Sequence, residues 1–396
     1  MHKTKVLIAL YSLTCGGGEK ALVNMLNSLD PQKYDITLQL FRNEGANLQF
    51  VPQHVKLADP LFPNGFPSKT QRIERLIKNF DLAGIVKSLY YYIKSRGSNA
   101  RARAWYEWKS VEPFCKRNQE VYDVAVAAMH GLSTYYVFDT ITAKRKICWI
   151  HTDFSKISKF KQEQQYFESA NNIVTVSEQC YNSFKSEYPM LNNVVMLYNL
   201  NCPDLIKSMA NQRSKDECFP DNFDWHFLSI GRIIALKGFD MLVDAANGLK
   251  SKGVSFAWYI LGQGNEEHNL KDKAKALGVD DRIFFIGIDP NPYPYIKHAD
   301  IIVQTSRYEG KSMVLDEAKI LNKPIVSTSY DSVYDQIEHK HSGYIVPISS
   351  KGIENGIYEM ITNSQLMNSL SEKLSKTENR QDALIKDYDS LLEGKL

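Results

Sequence analysis

Short apolar runs alternate with amphipathic stretches along almost the whole chain. This alternation is typical of β-α units, in which strands joined by helices run parallel in one sheet. The sequence therefore predicts an α/β fold built on doubly wound parallel sheets. The predicted strands cover 5–10, 35–40, 55–57, 123–128, 146–150, 173–176, 194–197, 227–230, 256–261, 283–286, 301–304 and 324–328.

The alternation lapses once and then starts afresh, which predicts two domains. A chain of 396 residues is long enough for two cores. We predict a first Rossmann-like domain over 1–198, a linker rich in Asn, Pro, Asp and Lys over 199–224, and a second Rossmann-like domain over 225–375. Residues 376–396 are expected to form a helical tail that packs back on the first domain. Ligands of such sheets bind beyond the carboxyl ends of the strands, so we expect a central cleft that the two domains face.

Composition excludes several classes of protein. Apolar residues make up 43% of the chain and charged residues 23%, which is the balance of a soluble globular protein. The longest apolar runs have about eight residues, whereas a membrane-spanning helix needs roughly twenty, so no transmembrane helix is predicted. The six cysteines form no Cys-x-x-Cys pair, which favours neither a zinc site nor a disulfide framework and indicates a reducing, cytoplasmic setting.

The basic residues are concentrated in one segment, 69–118. It has twelve Lys or Arg residues against four acidic ones, whereas the net charge of the whole chain is only +3. Eight Tyr, Trp and Phe residues lie among them. This composition suits an anionic membrane surface, where cations meet headgroups and aromatic rings lie at the interface. An ordinary solvated helix pair is the alternative, and nucleic acid ranks last because no known binding motif is present.

Two loops at predicted strand ends are suited to anions. Glycines follow the first strand at 16–18, where the backbone can approach a ligand and a helix begins. The alternative is a tight strand-to-helix turn that binds no ligand, which would use the same glycines. After the first strand of the second domain, Arg232 and Lys237 lie five residues apart beside glycines. Together, a forked guanidinium and an ammonium at a strand end favour the binding of a pyrophosphate.

A third strand end has two carboxylates, Glu309 and Glu317. If a helix begins near Gly310, positions eight apart differ by about 80° around it, so both carboxylates can face one ligand. Such a pair can do acid–base work or hold sugar hydroxyls, although two glutamates on a helix are usually just solvated.

His151 follows an apolar strand of the first domain, and this position favours a functional role. A single histidine is otherwise more often a structural residue than a catalytic one. Metal use is not predicted. The only Asp-x-Asp pair, Asp387 and Asp389, lies in the tail, far from any predicted strand end.

Together these motifs resemble the retaining glycosyltransferases of family four, the glycosyl transferases group 1, which have the GT-B fold and move a sugar from a nucleotide donor. The spaced glutamate pair is the most specific signal. The resemblance covers nearly the whole length and is carried by residues 16–20, 176–178, 198–199, 231–240, 261–264, 306–318 and 323–326.

The resemblance implies a role for each candidate residue. Arg232 and Lys237 would neutralise the donor diphosphate as it leaves. Glu309 would lie against the donor sugar, and Glu317 would hold the ribose hydroxyls. His151 would hydrogen-bond the donor sugar from the opposite domain.

Other candidates would act through the backbone. Gly17 and Gly18 would let the acceptor and the diphosphate approach. The base would be recognised near Ile288, with Gly262 in the same donor site. The remaining contacts would come from the helix N-terminus at Gly310, Lys311, Ser312 and Met313.

Lys311 departs from the apolar or small residue that is common in the family, and it would add a phosphate contact. No protein base is implied, because a diphosphate oxygen is thought to help deprotonate the acceptor. No cofactor or metal is implied beyond the donor, for which a UDP-sugar is favoured over a GDP-sugar.

The leading hypothesis is a cytoplasmic glycosyltransferase, peripherally bound to the inner face of the cell membrane through residues 69–118. It would extend a glycan or a polyprenyl-linked acceptor for a bacterial surface polysaccharide. Two alternatives remain: a nucleotide-sugar epimerase of the same fold, and a non-catalytic scaffold that binds sugar nucleotides at the membrane.

Overall fold

The computed structural model of the chain describes residues 3–14, 16–68, 70–72, 74, 82–115, 118–157, 160–220, 222–376 and 381–396. Parts of four predicted features lie outside the described residues. These are Cys15 before the glycine turn, positions 69, 73, 75–81, 116 and 117 of the basic segment, position 221 of the linker, and positions 377–380 of the tail.

The chain divides into two compact units, Met1–Leu200 with Gln381–Leu396, and Asn201–Arg380. Each unit is built around a parallel sheet with helices between its strands. The predicted α/β fold class is therefore confirmed. The predicted domain and linker boundaries remain predictions.

In the described part of the first unit, the sheet has seven strands in the order β3-β2-β1-β4-β5-β6-β7. They are β1 Thr4–Leu10, β2 Tyr34–Leu40, β3 Lys56–Leu57, β4 Val121–Ala127, β5 Thr142–Ile150, β6 Asn172–Thr175 and β7 Val194–Met196. The helices are α1 Gly17–Ser28, α2 Leu82–Ser95, α3 Ala100–Val111, α4 Leu132–Thr140, α5 Gln164–Ser169 and α6 Glu178–Glu187, with short 3-10 turns at Ala46–Phe50, Glu112–Phe114, Phe154–Lys156 and Lys161–Glu163.

In the described part of the second unit, the sheet has six strands in the order β10-β9-β8-β11-β12-β13. They are β8 Trp225–Ile230, β9 Phe256–Leu261, β10 Ile283–Gly287, β11 Ile301–Gln304, β12 Ile325–Thr328 and β13 Tyr344–Val346. The helices are α7 Pro203–Ala210, α8 Lys215–Cys218, α9 Phe239–Ser251, α10 Glu267–Ala276, α11 Tyr293–His298, α12 Met313–Ile320, α13 Ser350–Thr362 and α14 Ser364–Lys376, with 3-10 turns at Ala235–Lys237 and Asp331–Asp335. Helix α15, Gln381–Glu393, returns to the first unit.

Strand β1 shows why the apolar runs become central strands. Val6, Ile8 and Leu10 are buried in one hydrophobic cluster, while Leu7 and Ala9 are buried in another. Successive side chains of a strand point to opposite faces, so a continuous apolar run needs cover on both. Helices on both faces supply it.

The structure adds elements that the sequence analysis did not predict. Strand β13 has only three residues, too few for a clear strand pattern. The predicted linker contains α7 and α8, and α8 begins with a capping box between Ser214 and Glu217. Among the described residues, no helix is both long and apolar enough to cross a membrane.

Candidate active site

The loop between β8 and α9 holds the two predicted cations of the second unit. Gly238 has a φ of 67°, and a Cβ there would collide with the carbonyl oxygen of Thr305. Glycine is therefore required where this loop passes the end of β11. The Thr305 hydroxyl donates to the Lys237 carbonyl over 2.7 Å, which holds the loop in place. Arg232 precedes this turn and is exposed.

Lys237 and Glu309 come together although 72 residues separate them, because β8 and β11 are neighbouring parallel strands. The Lys237 ammonium forms an ion pair with Glu309 Oε1. Gln304 Nε2 and the Ser306 hydroxyl each donate to the same oxygen over 2.7 Å. This cluster of four side chains is the centre of the candidate site.

Gln304 and Ser306 were missed by the sequence analysis. Both lie at the end of an apolar strand, which is the signal that drew attention to Arg232 and His151. Their polar side chains are uncharged and form no recognisable motif by themselves, so the sequence did not indicate a functional role for them.

Helix α12 begins at Met313, three residues later than the predicted start near Gly310. The prediction was wrong because Gln336 binds the preceding peptide groups. The Ser312 N–H donates to Gln336 Oε1 over 2.8 Å, and Gln336 Nε2 donates to the Ser312 carbonyl over 2.8 Å. These bonds hold Ser312 extended, with φ −86° and ψ 112°. Glu309 therefore lies outside the helix, and the angular argument for the glutamate pair does not apply.

Lys311 is directed toward the protein interior. Its Nζ lies 3.4 Å from Asp316 Oδ2, while Lys319 Nζ lies 2.9 Å from the other carboxylate oxygen. Burial alone would raise the pKa of Asp316, but the two lysines and a hydrogen bond from Gln336 lower it to about 2. The phosphate contact predicted for Lys311 and the backbone contacts predicted for 310–313 remain predictions.

Glu317 lies on α12 with its side chain fully buried. It accepts a long hydrogen bond, 3.4 Å, from the hydroxyl of Tyr293. Burial and the nearby carboxylate of Glu317 both raise the pKa of Tyr293. The role of Glu317 in holding the ribose stays a prediction, and Tyr293 is a neighbour that the sequence did not indicate.

Gly262 follows β9, which neighbours β8, and Ile288 follows β10, which lies on the other side of β9. The Gly262 N–H donates to the Gly287 carbonyl over 2.7 Å, and a Cβ at Gly262 would collide with the carbonyl oxygen of Gly231. Three loops at the carboxyl ends of β8, β9 and β10 therefore contact one another. Ile288 is exposed beside them.

In the first unit, the glycine turn lies against His151. Helix α1 begins at Gly17, and a Cβ on Gly18 would lie 3.6 Å from the His151 ring and 2.8 Å from Met129 Cε. His151 stacks on Trp149, with ring centroids 6.2 Å apart. Burial, and then the charge of His130, lower the pKa of His151 to about 4. The imidazole is therefore neutral near pH 7, so it can accept as well as donate a hydrogen bond.

His130 is a second histidine of this region, and the sequence analysis missed it. It follows β4 as His151 follows the neighbouring strand β5, and that shared position was the available signal. Burial, together with the positive charge of Arg101, lowers the pKa of His130 to about 4.

No group of three or more His, Cys, Asp or Glu residues that could hold a metal ion occurs among the described residues.

Residues 212–377 match the family model of the glycosyl transferases group 1. This part of the chain belongs to the glycosyl transferases group 1. This glycosyltransferase is 24% identical over 388 residues to an uncharacterized glycosyltransferase of Haemophilus influenzae, a match that covers 95% of this chain and 93% of the relative. It is 30% identical over 151 residues to the lipopolysaccharide core biosynthesis glycosyltransferase LpsE of Rhizobium meliloti, covering 38% of this chain and 43% of LpsE.

The fold of the glycosyltransferase is also that of solved structures. Anabaena Alr3699/HepE in complex with UDP-glucose matches with a TM-score of 0.70 and 15% identity, over 98% of this chain and 99% of that one. At this identity the likeness concerns the fold. The predicted GT-B class, with two Rossmann-like parallel sheets, is confirmed.

Proposed function

We propose that the glycosyltransferase moves a sugar, with retention of anomeric configuration, from a UDP-sugar to a glycan or lipid-linked acceptor. The observation that carries this proposal is the cluster of Lys237, Glu309, Gln304 and Ser306 at the carboxyl ends of β8 and β11. It combines a cation suited to a diphosphate with a carboxylate and neutral donors suited to sugar hydroxyls.

In this proposal the bond between the anomeric carbon and the diphosphate oxygen breaks, and the acceptor oxygen bonds to the same carbon. The acceptor proton passes to the departing diphosphate oxygen. Arg232 and Lys237 stabilise the negative charge that develops there. Because Lys237 is already fixed by Glu309 and by the Thr305 contact, little reorganisation is needed when charge develops. No metal takes part in the proposed step.

The rest of the donor site follows the same proposal. Glu317 holds the ribose, and the backbone around Gly262 and Ile288 recognises the base. The segment that Gln336 holds extended, 310–313, meets the phosphate or the sugar. UDP is favoured over GDP because Anabaena Alr3699/HepE, which shares the fold, was solved with UDP-glucose.

His151, Gly17 and Gly18 serve the acceptor side of the proposed reaction. A neutral His151 hydrogen-bonds the donor sugar, and Gly18 places no side chain against its ring. We further propose that the acceptor is carried at the inner face of the cell membrane, with which the basic segment 69–118 associates. Relatives such as LpsE, named for lipopolysaccharide core biosynthesis, support an acceptor of this class.

The test combines calorimetric binding of UDP, GDP and ADP with turnover of the sugar conjugates. Loss of Arg232 or Lys237 is expected to lower kcat/KM by about 100-fold or more, since one electrostatic donor contributes roughly 3 kcal/mol to the transition state. The control is Lys271→Ala, which removes an exposed ion pair with Glu267 in the same unit. EDTA should leave the rate unchanged.

Full activity of Arg232→Ala and Lys237→Ala would contradict the proposed site. Binding of one nucleotide without any turnover would favour the scaffold, and conversion of the donor without an acceptor would favour the epimerase.

A further inference from the structure

Helix α2 exposes an unusual row of apolar side chains. Val86, Leu89, Tyr90 and Ile93 are between 54% and 69% exposed. Their spacing of three, one and three places them on one face of the helix. Large apolar residues exposed singly are ordinary, whereas a continuous row on one face marks an interaction surface. We call these four residues the α2 stripe.

The opposite face of α2 is packed on α3. The ring of Tyr91 lies 5.7 Å from that of Trp105, edge to face, and 6.2 Å from that of Tyr106. Trp105 is buried in the core of the first unit. The packing of α2 therefore fixes the α2 stripe on the outer side of the helix pair.

The cations around the α2 stripe are exposed. Lys87, Lys94 and Arg96 lie on or just after α2, and 82–95 contains no acidic residue. The Lys94 ammonium lies 5.8 Å from the ring centre of Tyr90, so one cation lies directly beside the stripe.

Two of the three basic residues of α3 are in a different position, whereas Arg103 is exposed. Arg101 is buried in ion pairs with Glu163 and Glu187, and Lys109 binds Asp139 over 2.7 Å. Their charges are neutralised inside the first unit. The segment as a whole has an excess of basic residues. The cations of α2 are available to an outside partner, whereas Arg101 and Lys109 are not.

We infer that the α2 stripe is the membrane-contacting face, with its apolar side chains in the interfacial layer of an anionic bilayer and Lys87, Lys94 and Arg96 at the headgroups. This inference deepens the membrane association proposed above and rests on it. An amphipathic helix with aliphatic and aromatic residues on one face and cations beside them has the composition of an interfacial helix. Anionic headgroups match the excess of positive charge.

A second copy of the chain fits this face less well. Two α2 stripes packed against each other around a two-fold axis would bring Lys87 and Lys94 of both copies close together. Like charges at a contact oppose association. Lipid headgroups supply the opposite charge instead.

The test is cosedimentation of the full chain with vesicles of phosphatidylglycerol and phosphatidylcholine, and with pure phosphatidylcholine vesicles. The double variant Leu89→Gln with Ile93→Gln should bind the anionic vesicles at least about tenfold more weakly, because it removes apolar surface from the interface. Both side chains are largely exposed, so folding and UDP binding should persist. The matched control is Met190→Gln, which changes an 87% exposed apolar residue of the same unit.

A second double variant separates the contribution of charge to vesicle binding from that of the apolar side chains. Lys87→Gln with Lys94→Gln should lower binding about tenfold at low salt and less at high salt, since surface charges are screened. The control is Lys56→Gln with Lys144→Gln, two exposed cations of the same unit outside the basic segment.

The outcomes are distinguishable. If the wild-type chain binds neither kind of vesicle, the membrane association itself fails, and the inference fails with it. If the wild type binds and the Leu89/Ile93 variant binds equally well, membrane association stands but the α2 stripe is not the contacting face. If the wild type is a dimer that this variant converts to a monomer, the stripe is a subunit interface and the inference is overturned.

Discussion

His130 and His151 follow neighbouring strands of the first unit, and burial keeps both imidazoles neutral. The pKa of each falls from 6.5 to about 4 in the folded chain. The unfolded chain therefore binds more protons than the folded chain between these values. Stability from this source is complete above about pH 6.5 and is lost as the pH falls toward 4.

We expect the free energy of unfolding to fall between pH 7 and pH 5 by about 3–4 kcal/mol from these two groups. Asp316, with a pKa of about 2, loses its contribution only at lower pH. Urea unfolding at the two pH values checks this, with His130→Gln and His151→Gln combined to remove both groups.

The double variant should show a smaller difference between pH 7 and pH 5 than the wild type. The control variant, His268→Gln with His341→Gln, changes two exposed histidines and should keep the wild-type difference. An unchanged pH dependence in the His130/His151 variant would contradict the assignment.

At the scale of elements, the loops at the strand ends are fitted to one another through glycines. Gly238 caps α9 and leaves no room for a side chain beside Thr305, so the loop bearing Lys237 can lie directly on the end of β11. Gln336 similarly fixes the peptide before α12. Contacts between loops, rather than the regular elements, set the geometry of the candidate site.

Gly238→Ala and Gly278→Ala form a matched pair, because the two glycines have φ of 67° and 64°. At Gly278 no described atom other than the immediate neighbours lies within 4 Å of an added Cβ, so only backbone strain of about 1–2 kcal/mol is expected there. Gly238→Ala adds a collision and should cost about 1–3 kcal/mol more. Thermal melting measures the loss of stability in both variants. Equal losses would show that the close approach of Gly238 to Thr305 does not affect the cost of an added side chain.

At the scale of the whole molecule, the end of the chain returns to the first unit. Tyr388 on α15 is buried, its ring lies 5.4 Å from that of Trp149, and its hydroxyl donates to the Tyr198 carbonyl over 3.0 Å. Leu391 and Leu392 are buried in the same core. The core that holds His151 in place is therefore completed only when the last helix has docked.

Tyr388→Ala should lower the free energy of unfolding by about 3–5 kcal/mol, as for other large core side chains. Tyr388→Phe removes one hydrogen bond and should cost about 1 kcal/mol. Denaturant unfolding measures the series, with the exposed Tyr334→Ala as the control. A Tyr388→Ala variant as stable as the control would mean that α15 contributes little to the first unit.

Much of the candidate site could be predicted because strands and turns depend on local pattern. All twelve predicted strands coincide with observed ones to within a few residues, since burial on both faces requires continuous apolar runs. Parallel strands place their carboxyl ends at one edge, so the alternation predicted that the Lys237 and Glu309 loops lie at the same edge of one sheet. That β8 and β11 are neighbours is known only from the structure.

The contacts of individual polar side chains could not be predicted in this way. Arg101 has a surface-type side chain, yet its ion pairs with Glu163 and Glu187 join residues 62 and 86 positions apart. Gln336 and Ser312 are 24 positions apart, and their contact moved the start of α12.

The amino-acid sequence by itself determined the fold class, the two sheets and the loops that carry the candidate residues, because periodicity and burial act over a few neighbouring positions. Only the tertiary structure decided which charges are neutralised inside and which face outward, as the difference between Arg101 and Lys94 shows. The reason is that the free energy of a polar side chain depends on partners that the chain brings together only when it folds.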